Sequence, residues 1–301
     1  MKNSKCVLIV GGSGFVGTHL ALRLREEHKV FSTYKRHPFT IPGVTAIPLD
    51  ALDRDRTKRI IYTVRPDVII YAAGSNDAEW VERHAREADH IHAGGSVNVS
   101  TIADIFQPKF ILLSNSYVFD GQRGNYHEDD IVLPTNSLGK CKLNSENYVK
   151  GKSLNYVLLR SSPVFGRGNG LRHSFLDRLR ITLGKGDRIE LSKQELQSFA
   201  PVSGLVELVA RLVNSNVRNK VIHYGGLSKM SYYDFAVEFA KRFKFDPSKI
   251  APTVLAPGME NYFFDYSLNS TYAATNLKIK PLLVQESFDL FEQELVAGFG
   301  L

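Results

Sequence analysis

Short apolar runs alternate with longer amphipathic stretches through the first half of the chain. Cys6–Val10 is an uninterrupted apolar run that stops at a glycine turn, and Gly14–Glu27 behind it carries helical spacing. Strand patterns at Lys29–Tyr34 and Val44–Leu49 come next, then a helical pattern over Arg54–Val64 and a run buried on both faces at Asp67–Ala73. A long helical region continues through Ile105, followed by a strand at Lys109–Ser114, a helix at Ser137–Lys150 and a strand at Leu154–Arg160. Nearly continuous apolar strands separated by helices predict a parallel sheet between two helical layers. With right-handed crossovers this is a doubly wound α/β domain of Rossmann type.

The composition changes after Gly166, where GRGNGLRHSF is rich in glycine and arginine and the strand patterns become shorter and further apart. The expected organisation is a first domain over residues 1–165, elements near 201–225 that return to its sheet, and a smaller domain over 166–301. Ser203–Val213, Ser231–Phe243 and Val284–Val296 are the predicted helices of this half.

Composition narrows the class without naming a function. The chain has 301 residues, 43% hydrophobic and 23% charged, which excludes disordered and fibrous classes. No apolar run approaches the ~18–20 residues of a membrane span, and the N-terminal run is shorter than the ~7–15-residue core of a signal peptide. Cys6 and Cys141 are the only cysteines, so no disulfide framework or cysteine-built zinc cluster is available, and a reduced, cytoplasmic setting is expected. The formal charge of +7 suits nucleic acid or phosphorylated small molecules. The cations are scattered, with no basic tail and no aromatic–glycine RNA-binding signature, which favours the small molecule.

Gly11-Gly12-Ser13-Gly14-Phe15-Val16-Gly17 follows the first strand and opens the first helix, a G-x-x-G-x-x-G spacing. Glycines there permit a tight turn and close backbone approach to a pyrophosphate, which the free N–H groups and positive dipole end of the helix attract. A glycine triplet alone is compatible with an ordinary turn; the strand before it, the helix after it and the further βα units point to a dinucleotide. At the end of the second strand, NAD-preferring sites usually carry an acid for the ribose 2′-hydroxyl. This chain has Thr33-Tyr34-Lys35-Arg36, whose two cations favour a 2′-phosphate, so NADP is expected ahead of NAD.

With these residues the chain resembles the extended short-chain dehydrogenase/reductase superfamily, and within it the dTDP-4-dehydrorhamnose reductases and the similar regulatory beta subunit of methionine adenosyltransferase. The resemblance rests on GGSGFVG, Asp50 after the third strand, YAAG at 71–74, SNSYVFDG at 114–121, the stretch at 124–146, RSSPVFG at 160–166 and VIHYGG at 221–226. It implies that Asp50 hydrogen-bonds the adenine and Ala51 borders it, and that Ala72, Ala73 and Gly74 pass under the cofactor. It also implies that Pro163 and Val164 approach the nicotinamide through their backbone. Ser114 falls at the C-terminal end of its strand, where open α/β sheets place ligands.

Reductases of this family use a Ser or Thr together with a Y-x-x-x-K pair, the Tyr protonating the developing alkoxide and the Lys holding the ribose and lowering the phenol's pKa. Here the corresponding stretch reads Pro134-Thr135-Asn136-Ser137-Leu138-Gly139-Lys140-Cys141-Lys142. Lys142 is in place, Leu138 stands at the Tyr position, Asn115 falls at the Ser/Thr position, and His92 stands where the family usually has Asn. Leucine has no proton to give, so slow or altered turnover is expected beside a hydrophobic gap. Tyr148 also begins a Y-x-x-x-K, but ten residues further on, ~15 Å along the same helix.

Tyr117 is a nearer substitute. Gln197–Pro201 resembles the family's stretch near the sugar-nucleotide cleft, Arg167 and Arg172 are candidates for a substrate pyrophosphate, and His127–Asp130 reads as an acidic loop rather than a metal site. The resemblance thus implies an NADP-dependent reductase of a 4-keto nucleotide sugar with a degenerate triad. The alternative is a non-catalytic, cofactor-binding regulatory or nucleotide-sugar-binding protein. Epimerases and dehydratases of this scaffold also use the missing Tyr. A homodimer and a partner enzyme both remain open.

Overall fold

The computed structural model describes residues 4–152, 155–168, 170, 174–253 and 263–297. Seven strands form one parallel sheet: β1 (Cys6–Val10), β2 (Lys29–Tyr34), β3 (Val44–Pro48), β4 (Val68–Tyr71), β5 (Lys109–Asn115), β6 (Tyr156–Ser161) and, after four short strands outside it, β11 (Lys220–Tyr224). Their order across the sheet is β11-β6-β5-β4-β1-β2-β3, and every pairing is parallel. The order reverses between β1 and β4, which opens a crevice at the C-terminal ends of these two strands.

Alternation along the strands explains why both faces are covered. Val7 and Ile9 of β1, with Val68 and Ile70 of β4, enter one core, while Leu8, Val10, Ile69 and Tyr71 enter the other. The first core is closed by α1 (Phe15–Leu24) and, later in the chain, α8 (Val202–Asn214). The second is closed by α2 (Arg54–Val64), α5 (Gly95–Ala103) and α6 (Ser137–Gly151). The predicted long helix before β5 is interrupted: α3 (Ala78–Arg83) and α4 (Ala85–Asp89) meet at His84 (φ −127°, ψ 40°), and a π-helical turn at His90–Gly94 leads into α5. The first helix ends at Leu24 rather than at Glu27.

The later half contributes β7 (Val164–Phe165), α7 (Phe175–Gly184), β8 (Ile189–Ser192), β9 (Glu195–Gln197) and β10 (Ala200–Pro201) before α8, and then β12 (Met230–Ser231), α9 (Tyr232–Arg242), β13 (Ile250–Thr253) and β14 (Phe264–Asp265). It closes with α10 (Thr271–Leu277) and α11 (Val284–Ala297). The small sheets pair β7 with β10, β8 with β13, and β9 with β12 and β14. Their core is aromatic: Phe165, Phe199, Phe235, Phe239, Phe288 and Phe291 are buried in one cluster. α8 packs on α1, and β11 joins the main sheet beside β6.

A buried ion pair anchors α6 to the sheet. Arg160 on β6 donates to Glu146 on α6 (2.7 Å), with side chains 1% and 0% exposed. Breaking such a pair leaves an uncompensated charge and costs about 3–5 kcal/mol. The pair therefore holds the helix that carries Leu138 and Lys142 in one register.

Candidate active site

The glycine turn sits on the β1 side of the crevice. Gly11 adopts φ +91°, and a Cβ on it would lie 2.6 Å from the Ala73 nitrogen. A Cβ on Gly17 would lie 2.3 Å from the Gly11 carbonyl oxygen, so the helix can start this close to the strand only without a side chain there. The Gly12 N–H donates to Thr33 O (2.7 Å), which ties the turn to β2. Gly14 is the N-cap of α1; it offers no side-chain cap, and the first turn carries no acid. Free N–H groups and a positive dipole end thus face the crevice, a cradle that suits a pyrophosphate. Ser13, Phe15 and Val16 complete the turn, with Phe15 and Val16 partly buried against the core below.

On the far side of β2, Lys35 and Arg36 are exposed, and Lys35 Nζ lies 2.6 Å from Asp50 Oδ2. Partial burial raises the Asp50 carboxyl, but the Lys35 contact, the Leu52 amide and the field of Arg36 outweigh it and hold the group below the usual carboxylate range. Ala51 is buried beside Asp50, its carbonyl accepting from Asn98 Nδ2 (2.7 Å).

Ala72, Ala73 and Gly74 leave β4 across the switch point from the glycine turn. His92 lies directly against Gly74, and its Nε2 is 2.9 Å from Ser75 O. Burial, with Lys142 nearby, pushes His92 down to about 3, so the ring is neutral at pH 7.

The end of β5 brings Ser114 and Asn115 to the crevice. Ser114 Oγ is buried with no hydrogen-bond partner, which is the state expected of a group that meets a ligand. Asn115 Oδ1 accepts from the Tyr117 N–H (3.2 Å) and so caps the short 3₁₀ turn that follows. Lys142 is buried; its Nζ donates to Leu113 O (3.2 Å), and burial pushes its pKa down to about 8.

Leu138, one helical turn before Lys142 on α6, is 1% exposed among Val81, Ala88, Tyr117, Cys141 and Tyr266. The expected gap is therefore filled: aromatic and aliphatic side chains close over the position. Tyr148, the other Y-x-x-x-K tyrosine, bonds Thr101 Oγ1 (2.6 Å) on α5.

Pro163 and Val164 lie where β6 gives way to β7; Pro163 O accepts from Ala200 N (3.2 Å). Arg167 O is 2.9 Å from His19 Nε2, and Arg172 lies outside the described residues. In the acidic loop, Asp130 is paired with Arg123, and Glu128 Oε1 accepts from the His223 N–H (3.1 Å). Among the described residues no group of three or more His, Cys, Asp or Glu side chains is placed to hold a metal ion.

Sequence reasoning did not find Glu195. Tyr117 donates its hydroxyl to the Glu195 carboxyl, Gln197 Nε2 donates to the same oxygen (3.1 Å), and Ser116 Oγ donates to Gln197 Oε1 (3.0 Å). This chain of polar groups joins the end of β5 to β9 beside Leu138. No motif or spacing marks Glu195, because its partner Tyr117 comes from a distant part of the chain.

A seven-stranded parallel sheet, a glycine turn at its switch point and a lysine-bearing helix beside the next strand end define a protein of the extended short-chain dehydrogenase/reductase fold. The profile of the RmlD substrate binding domain matches residues 5–258, and the chain belongs to that family. It is 26% identical over 261 residues to the methionine adenosyltransferase 2 subunit beta of Bos taurus, covering 83% of this chain and 76% of the relative. It is 26% identical over 234 residues to a dTDP-4-dehydrorhamnose reductase of Aggregatibacter actinomycetemcomitans, covering 77% and 76%. Among solved structures, dTDP-4-dehydrorhamnose reductase from Bacillus anthracis in complex with NADP superposes with a TM-score of 0.82 at 19% identity, over 97% of this chain and 99% of that one.

Proposed function

We propose that the protein binds NADP(H) across the β1/β4 switch point and takes a nucleotide sugar in the cleft between the main sheet and the smaller sheets. The observation that carries this reading is the glycine cradle at the N-terminus of α1, with the unpartnered Ser114 Oγ and buried Lys142 across the crevice from it. In this reading residues 1–165, with the returning segment near 201–225, hold the cofactor, and the remainder holds the substrate. The α1 N-terminus binds the pyrophosphate and Asp50 with Ala51 flanks the adenine. Ala72–Gly74 lies under the cofactor, and Lys142 turns from Leu113 O to the ribose. The backbone of Pro163 and Val164 borders the nicotinamide. When bound, the cofactor supplies a hydride for a ketone carbon.

The proton for the resulting alkoxide is the weak point. Leu138 is apolar and enclosed, and Asn115 replaces the hydroxyl of the family pattern, so reduction of a 4-keto nucleotide sugar is slow. A positioned general acid is worth ~10²–10⁴ in rate. The same observation favours a second reading, a cofactor-binding regulatory subunit of another enzyme, since a cradle without a donor still binds. The similarity to a methionine adenosyltransferase beta subunit supports that reading by analogy only.

Titrating the protein with NADPH and NADH, then following NADPH oxidation over a panel of nucleotide keto-sugars, tests both. Tight NADPH binding with slow turnover is the expected result. Absence of binding to either nucleotide overturns the first reading. Binding of NADPH with no turnover on any sugar moves the regulatory reading ahead.

A further inference from the structure

His92 lies in the π-helical turn His90–Gly94, and turns of this kind are uncommon and recur at functional sites. The turn is anchored to the sheet. Tyr71, at the end of β4, donates its hydroxyl to Ile91 O (2.6 Å), the carbonyl next to His92. Gly95 lets the phenol come so close, since a Cβ there would stand 2.2 Å from the Tyr71 oxygen. On its other side the turn packs against α6, the helix that carries Lys142.

The ring is held in one tautomer. Ser75 O can only accept, so the His92 Nε2, 2.9 Å from it, carries the proton. Burial, and then the charge of Lys142, opposes a second proton on the ring. Nδ1 is therefore a bare acceptor, and it makes no hydrogen bond among the described residues. It lies against Gly74: a Cβ on that residue would fall 2.4 Å from Nδ1 and 2.2 Å from Cε1, while Gly74 itself is exposed at the crevice. The imidazole thus offers an N–H and a lone pair on one flat group, as does the amide of the asparagine usual at this position. An acceptor left open on a buried side chain, beside an exposed strip of backbone, is the state expected of a group that meets a ligand donor.

We propose that Nδ1 of His92 accepts a hydrogen bond from a hydroxyl of the cofactor's nicotinamide ribose, while the Lys142 ammonium donates to the same diol. The proposal rests on the dinucleotide reading of the crevice. Each hydroxyl of a ribose needs an acceptor for its proton as well as a donor for its oxygen. Lys142 only donates, and Leu138 offers neither, so the acceptor has to come from another side chain. The Lys142 charge acts on the His92 ring, which sets His92 on the lysine side of the crevice rather than beside Lys35 and Arg36. In this role His92 binds and orients the cofactor and moves no proton.

Nitrogen-15 labelling of the histidines reads the ring directly. At pH 7 the wild type should show His92 protonated at Nε2 with a bare Nδ1, assigned by the loss of these signals in His92→Asn. Saturation with NADPH should shift Nδ1 upfield, the direction of an acceptor nitrogen that gains a hydrogen bond, with the Nε2 proton retained. Affinity is measured with two probes, NADPH and adenosine 2′,5′-bisphosphate, which lacks the nicotinamide ribose. His92→Phe, its folding checked by thermal unfolding, should weaken NADPH about three- to tenfold and leave the bisphosphate within about twofold. H92N, which keeps a donor and an acceptor, should hold NADPH within about threefold of wild type. A proton on Nδ1 in place of Nε2, an unmoved Nδ1 at NADPH saturation, undiminished NADPH affinity in H92F, or an equal loss of both probes would each overturn the assignment. A wild type that binds neither probe would overturn the dinucleotide reading itself, and this proposal with it.

Discussion

Lys35 Nζ lies 2.6 Å from Asp50 Oδ2, so one of the two cations at the end of β2 is already committed to a carboxylate. Arg36 is exposed and forms no ion pair among the described residues, reaching Asp50 only through its field. A 2′-phosphate arriving at this edge would meet Arg36 as its free partner, with Lys35 shared between phosphate and Asp50. Hydrogen bonds to charged groups contribute ~1.5–3 kcal/mol, or about tenfold and more in affinity. Arg36→Ala should therefore reduce the NADPH-over-NADH preference about tenfold, and Lys35→Ala by no more than about threefold. Titration of both nucleotides measures the ratio, and an unchanged ratio in the Arg36 variant would assign that side chain to solvent alone.

Substitution at Gly17 tests the cradle. The Cβ of Gly17→Ala would stand 2.3 Å from the Gly11 oxygen and 2.7 Å from the Gly12 Cα, both backbone atoms, so the turn has to open. Overpacking of this kind costs ~1–3 kcal/mol. Denaturant unfolding should show that loss, and NADPH affinity should drop at least about tenfold because the N–H groups no longer converge. Full affinity in a folded G17A protein would place the dinucleotide elsewhere.

Lys142 makes stability depend on pH in a definite direction. Burial lowers its folded pKa to about 8, against an ordinary lysine value of 10.5. Between these values the unfolded chain binds more protons than the folded one, so stability rises with pH across that window and is lost again as pH falls through about 8. The full swing is on the order of 3 kcal/mol. Lys109 is also lowered to about 8, so the measurement is a difference between proteins. Subtracting the pH–stability curve of Lys142→Met from that of wild type should leave a rise over this window. A flat difference would mean that Lys142 keeps its ordinary pKa.

The elements legible in the sequence are those whose local chemistry admits few alternatives. The helix Arg54–Val64 was readable to the residue: Asp53 caps its N-terminus by accepting from the Arg56 N–H, and Arg65 ends it at φ +45°. The glycine turn was readable because its positive φ and its backbone contacts exclude side chains. The breaks at His84 and His90–Gly94 were not, since no proline stands at either and the helices α3 and α4 are only six and five residues long. Strands β7, β10, β12 and β14 are two residues long, too short to show any period. At the site, Leu138 and Lys142 were visible as a departure from a family pattern, but the filling of the space around Leu138 depended on Tyr117 and Tyr266. Glu195 was invisible for a related reason: Tyr117 lies 78 residues from it in sequence, and only folding brings the two together.

If Leu138 limits the site, one comparison shows it most directly: NADPH oxidation by wild type and Leu138→Tyr, in parallel, with a nucleotide 4-keto-sugar. The larger ring enters a closed cluster, so the variant should lose ~1–3 kcal/mol of stability while staying folded. It also places a phenol one helical turn from Lys142, on the same face of α6. At equal NADPH affinity, turnover should rise at least about tenfold over a slow wild type, the lower part of the range a positioned general acid provides. A wild type that already turns over briskly, with L138Y equal or slower, would contradict the claim that Leu138 is what limits this site.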